Sequence, residues 1–279
     1  MNRFEFSLST VEASVVGRAT GVDIRQFPLR IGPTSADPDR FIRLARQVYF
    51  DLTDRRLSLS GELHRFVRLA FELLAAPRVS VAINGSGDRA GQIAVLAVTD
   101  GAQALFIDQP DGGDQLWFQL LPDDELVQAL VGALPPVAAA PGRVLTVAQQ
   151  AGRQLSAMAA KRQAEAEFDD EETEAFGSLQ IQEVLGSRSS SRNAGYSDRE
   201  VLEEIMSGPR HGGGYFVATG RTRHGERRSA TPVSWVDTGE GRYLVETTTD
   251  AAGTLTARYI PGGAAQLAGA IRQMISTVY

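Results

Sequence analysis

The sequence predicts an α+β protein made of two similar halves, because the same punctuation occurs twice along the chain. Leu73-Leu74-Ala75-Ala76-Pro77-Arg78 opens one stretch and Ile205-Met206-Ser207-Gly208-Pro209-Arg210 opens another. Each is followed by four short β-like runs with a tight turn in the middle, Val98-Thr99-Asp100-Gly101 in the first and Val236-Asp237-Thr238-Gly239 in the second. Leu121-Pro122 and Ile260-Pro261 then close the two sets into helices. A repeated helix–four strands–helix unit predicts two sheets built alike and joined about a pseudo-twofold axis. The halves fall at 1–140 and 141–279 and form one compact unit. Such a plan points to a contact surface rather than to a pocket of reactive groups.

Phe4-Glu5-Phe6-Ser7-Leu8 alternates as a half-buried strand, and Phe27 to Ile31 alternates more weakly as another. Thr10 to Arg18 predicts a short helix ended near Gly17 or Gly21. Asp37-Pro38 supplies an N-cap followed by proline at the first helical position. Phe41, Leu44, Ala45, Val48, Tyr49 and Leu52 then recur at helical spacing and bury one stripe. A second helix is predicted from about Gly61 to Ala76, its inward face made by Leu63, Phe66, Val67, Ala70, Phe71 and Leu74, with Pro77 as its stop. Val79 to Asn84 reads as the first strand of the set and Gly85 to Gly91 as a flexible, polar connection. Strands near 92–99, 102–108 and 114–120 follow, turned by Asp100-Gly101 and Asp111-Gly112-Gly113. Pro122 with Asp123, Asp124 and Glu125 starts a helix whose N-terminus favours negative charge. Pro135-Pro136 and the small-residue run to Gly142 separate the halves.

The second half opens with a helical pattern from about Thr146 to Phe168, then an acidic run to Glu174 and a helix over Thr173 to Leu185. Gly186 to Gly195, rich in Ser and Arg, reads as a loop or a disordered insert. Ser197 with Glu200 makes a capping box for a helix over 198–207. Strands near 214–222, 228–237, 241–248 and 254–260 complete the second set. Pro232 marks an edge or bulge, since it has no N–H to give the ladder. A last helix runs from about Gly263 to Thr277.

Composition narrows the function. Hydrophobic residues make up 43% and charged residues 22% of the 279, an ordinary soluble balance. A formal net charge of −6 supplies no global field for nucleic acid or anionic lipid. The absence of Cys removes disulfides and thiolate chemistry and points to a reducing cytoplasm. The N-terminus lacks a signal-peptide core, and no apolar window reaches the roughly 18 residues of a membrane span.

Catalytic constellations are missing from the pattern. Gly85, Gly87 and Gly91 precede a strand, whereas a phosphate loop needs a helix N-terminus directly after its glycines. His64, His211 and His224 stand far apart without ligand spacing, and Ser189-Ser190-Ser191 lacks the elbow of a nucleophilic serine. The acidic run Glu165 to Glu174 lacks the alternation and central glycine of a calcium loop. Arg221, Arg223, Arg227 and Arg228 form a basic hairpin around His224-Gly225, able to clamp acidic groups on a partner. No cofactor, metal or catalytic residue is therefore expected. The alternatives are an enzyme whose site assembles between the sheets, or a self-associating structural protein.

The order Ser207-Gly208-Pro209-Arg210, Gly213-Gly214-Tyr215-Phe216-Val217, Val233-Ser234-Trp235-Val236-Asp237-Thr238 and Gly241-Arg242-Tyr243-Leu244 resembles the EspG-type proteins, the ESX (type VII) secretion-associated chaperones of actinobacteria. The opening strand–helix–strand pattern and the first Pro-Arg repeat extend the likeness over nearly the whole chain. The resemblance implies a cytosolic chaperone with a central, quasi-symmetric antiparallel sheet flanked by helical bundles. It implies that the chain covers the hydrophobic tip of a helical substrate, the PPE-like subunit of a PE–PPE type pair, keeping it soluble without an ATP site of its own. The matching contact residues are Gly85, Ser86, Gly87, Asp88 and Arg89 in the first-half connection, with Leu179, Val184 and Leu202 on the bundle helices. The connection is shorter here than in many mycobacterial members. Nucleic acid and membrane insertion are not expected, and the sequence leaves a weak homodimer open.

Overall fold

Local rules place most of the elements. The computed structural model describes residues 3–34, 37–88, 90–150, 197–222, 224–251 and 253–279. The first strand, β1 (Phe4–Ser9), buries Phe6 and Leu8 and ends at Ser9, whose hydroxyl accepts from the Glu12 N–H while the Glu12 carboxylate accepts from the Ser9 N–H. This reciprocal cap starts α1 (Thr10–Thr20), which Gly21 ends in the left-handed conformation. Asp37 caps α2 (Pro38–Asp54) by accepting from the N–H groups of Asp39 and Arg40, with Pro38 in the first turn, as the Asp-Pro pair predicts.

Two expectations in this half are corrected. Phe27 to Ile31 forms no strand. Gln109, fully buried, accepts from the Arg30 N–H at 2.6 Å and donates to its carbonyl at 2.9 Å, so those backbone groups are taken by a side chain instead of a ladder. The helix expected from Gly61 starts later. Ser60 and Gly61 both adopt positive φ and turn a small hairpin, β2 (Ser58–Leu59) with β3 (Glu62–Leu63). His64 then caps α3 (Arg65–Ala75), which ends before Pro77.

The strand set is β4 (Val79–Gly87), β5 (Gly91–Thr99), β6 (Gln103–Asp108) and β7 (Gln115–Pro122), followed by α4 (Leu126–Gly132). In the second half come β8 (Leu145–Gln150), α5 (Asp198–Ser207), β9 (Arg210–Arg221), β10 (Arg227–Ser229), β11 (Val233–Thr238), β12 (Gly241–Thr249), β13 (Thr254–Pro261) and α6 (Ala264–Val278). The Ser197–Glu200 capping box is present. The strand expected over 228–237 is broken around Pro232 into β10 and β11. The helix expected from Thr146 is strand in its first residues. Leu145 and Val147 alternate into the core and pair with Tyr259 and Ala257 of β13, whose edge would otherwise lie open. The remainder of that pattern, the acidic run and the helix over 173–185 lie outside the described residues.

The two predicted sheets are one. Its order is β1-β7-β6-β5-β4-β9-β11-β12-β13-β8, with β10 pairing β9, and every pairing along it is antiparallel. First-half strands occupy one side and second-half strands the other, in mirrored succession. They meet at the β4–β9 ladder, whose middle rung is Ile83 opposite Phe216. One face of this seam carries Val81, Ile83, Phe216 and Trp235, covered by α4 and α6 through Leu130, Leu267, Ile271 and Met274. On the opposite face, α1 to α3 cover the first-half strands around Phe71, Phe118 and Leu105, while α5 covers the second-half strands through Leu202 and Met206.

Candidate interaction surface

The seam is built around glycine. The segment expected as a loop is mostly strand: Gly85, Ser86 and Gly87 pair with Ile93, Gln92 and Gly91 of β5 on one side and with Gly214, Gly213 and Gly212 of β9 on the other. Trp235 explains the composition. Its fully buried indole lies on the backbone of both strands, and a Cβ added at Gly85 would fall 2.7 Å from its ring carbons. A Cβ at Gly214 would collide with the same ring. Among the described residues the Trp235 indole N–H has no hydrogen-bond partner, so shape rather than polarity holds the ring there.

Asp88 and Ala90 are turn residues between β4 and β5. The Asp88 N–H donates to the His211 carbonyl at 2.8 Å, and the His211 Nδ1 lies 2.9 Å from the Asp88 carboxylate. Both side chains are exposed, so the turn is clamped to β9 while presenting a polar tip. Next along the seam, the Asn84 amide donates to the Tyr215 hydroxyl at 3.2 Å, and Phe27 stacks on the Tyr215 ring with centroids 6.2 Å apart. Phe27 keeps 39% of its surface exposed. Ser86, Asp88, His211, Asn84, Tyr215 and Phe27 thus form a mixed polar and aromatic strip along one end of the seam.

Of the residues expected to touch a partner, Gly85, Ser86, Gly87 and Asp88 come together here. Arg89, Leu179 and Val184 lie outside the described residues. Leu202 is 0% exposed and packs among Val236, Tyr243 and Val245; what α5 offers outward is Glu203 and Glu204. Sequence reasoning missed Phe27, Asn84 and Tyr215, which lie far apart in the chain and carry no spacing signal.

Two charged pairs tie the framework together. Arg242 donates to both oxygens of Asp237 at 2.7 and 2.8 Å, each side chain 3% exposed, and donates also to the Pro135 carbonyl at 3.0 Å. That places an ion pair under the segment joining the halves. Asp198 pairs with Arg143 and accepts from the Thr146 N–H, tying α5 to β8, and these partners hold its carboxyl below the ordinary value. Burial pushes the Asp108 carboxyl up. His64 sits at a helix cap and stacks on Phe4, distant from the seam tip in role and chain. Among the described residues, no three His, Cys, Asp or Glu side chains gather as metal ligands.

The EspG family model matches residues 9–273. The chain belongs to the EspG family. No curated protein sequence matches it. Its fold is similar to that of the Mycobacterium tuberculosis type VII secretion system chaperone EspG5, solved in complex with a PE25–PPE41 dimer, at 11% identity and a TM-score of 0.61. The likeness covers 99% of this chain and 97% of that one. This EspG-family chain carries no described helix long and apolar enough to cross a membrane.

Proposed function

We propose that this chain is a type VII secretion chaperone of the cytoplasm, holding the helical tip of a PPE-like subunit within a PE–PPE type heterodimer. The observation that carries the reading is family membership over residues 9–273, joined to a fold shared end to end with a chaperone captured on such a dimer. Exposed apolar helix tips aggregate, and a broad sheet face with a clamped polar hairpin suits covering one. The work is done by contact, with no chemical step. We assign the contact to the strip around Ser86, Asp88, His211, Asn84, Tyr215 and Phe27. We further propose that the two halves, 1–140 and 141–279, act as one pseudo-twofold unit. Co-expression with helical secretion substrates of its own locus should yield a ternary complex with one copy of each chain. Failure of every such pair to co-purify would remove the reading.

A further inference from the structure

We propose that the outward face of α2, with the adjoining β2–β3 hairpin, is an interface between two copies of this chain. The proposal goes beyond the chaperone reading and uses none of the seam residues. Its starting point is that α2 is apolar on two sides. Val48 and Leu52 enter the core, yet Ile42 is 49% exposed, Phe50 71% and, on the hairpin, Leu59 76%. Phe41, Ala45, Tyr49, Phe50 and Gly61 bound an open groove of about 600 Å³. A helix apolar on both faces is one that is covered on both faces in its working state.

Charge selects the occupant. Arg43 and Asp54 are exposed and make no ion pair or side-chain hydrogen bond among the described residues. They lie about three helical turns apart and therefore on the same flank of the groove. Packing α2 antiparallel on a second α2 about a twofold axis sets Arg43 of each copy beside the partner's Asp54. Both pairs form at once, which is what an isologous contact requires. The same arrangement brings Phe50 near the partner's Arg46, a cation–π pair. A parallel arrangement would oppose Arg43 to itself, and an acidic helix from another protein would satisfy the arginines but face Asp54 with like charge.

Area sets the strength. The 17 residues of α2 span about 25 Å. A helix is about 10–12 Å across with its side chains, so α2 needs the adjoining hairpin to approach the roughly 1,000 Å² in total that a specific interface clears. A contact of that size sits at the small end of specific interfaces.

Sedimentation velocity of the full chain from about 1 to 200 μM tests this. The expected result is a rise from monomer to dimer across that range. Phe50→Asp should weaken association by about tenfold or more, and its exposure leaves folding intact by thermal melt. Arg43→Asp and Asp54→Arg should each weaken association several-fold, while the double variant regains wild-type behaviour. A folding defect would not produce that rescue. A chain that stays monomeric throughout, a dimer indifferent to Phe50→Asp, or a double variant no better than its parents overturns the proposal. Because the seam is untouched, loss of dimerisation leaves capture of a PE–PPE type partner unchanged, so this test and that of the chaperone reading fail separately.

Discussion

The two ends of the β4–β9 seam occupy equivalent places in the strand order but are made from opposite chemistry. At one end glycines face glycines beneath Trp235, and Asp88 with His211 clamps a polar turn. At the other end Gly220 lies against the Val278 backbone at the end of α6, and arginines collect. Arg78 sits 3.6 Å over the Tyr279 ring, Arg221 stands directly across from Arg227, and Arg228 follows. The partial negative charge of a helix C-terminus makes that end a natural place for cations. Mirrored strand sets in one sheet supply breadth, and under the proposed function the unequal ends would let a partner dock in a single orientation.

The largest expected effect breaks the glycine end. Trp235→Ala removes a fully buried indole whose glycine cradle cannot collapse around it, and should cost about 3–5 kcal/mol in urea unfolding. Arg242→Ala should cost about the same, since it strands the Asp237 carboxylate in the core and releases the Pro135 carbonyl. Replacing both Arg242 and Asp237 by apolar residues should recover much of that loss, because it leaves no buried charge behind. A double variant as unstable as Arg242→Ala would mean that geometry, not charge, is what the pair provides.

These two sites mark the boundary of what was legible. Capping signals fix helix starts locally: three or four residues decide them at Asp37-Pro38 and Ser197-x-x-Glu200. Phe27 to Ile31 forms no strand because Gln109, nearly eighty positions away, takes the Arg30 backbone groups. The segment from Thr146 to Gln150 is strand because a ladder to β13 outweighs its weak helical period. Asp237 and Gly241-Arg242 read as turn punctuation, and nothing in their spacing reveals that the two side chains turn inward to meet each other. The seam strip was half legible for the same reason: Gly85 to Asp88 is contiguous, whereas Phe27, Asn84 and Tyr215 meet only once the halves are joined.

A middle-sized effect sharpens the contrast between the ends. Asp88→Arg at the glycine end should reduce co-purification of the helical partner by about tenfold while changing stability by less than about 0.5 kcal/mol, the usual range for an exposed site. Arg228→Glu at the other end should leave capture within about twofold. Equal losses from both would mean that the partner spans the whole seam. For stability alone, Arg227→Glu should gain about 0.2–1 kcal/mol by placing opposite charges across the β9–β10 ladder, and salt should erase the gain.

The smallest effect distinguishes the halves by pH. In the second half, Asp198 is held below its ordinary value of 3.8 by Arg143 and the Thr146 N–H, so its contribution is present above that value and is lost as pH falls through the folded pKa. In the first half, Asp108 is raised above 3.8 by burial, so the folded state binds its proton first and pays a penalty above the folded pKa that vanishes on acidification. Asp108→Asn should therefore raise the melting temperature slightly at pH 7 and do nothing near pH 4, whereas Asp198→Asn should lower it at pH 7 and converge with the wild type only below about pH 4. Melting curves taken across pH 3–7 read both slopes. Parallel curves for Asp108→Asn and the wild type would mean that water reaches that carboxylate well enough to cancel its burial, and that β6 is more open beside Trp117 than its neighbours in the sheet.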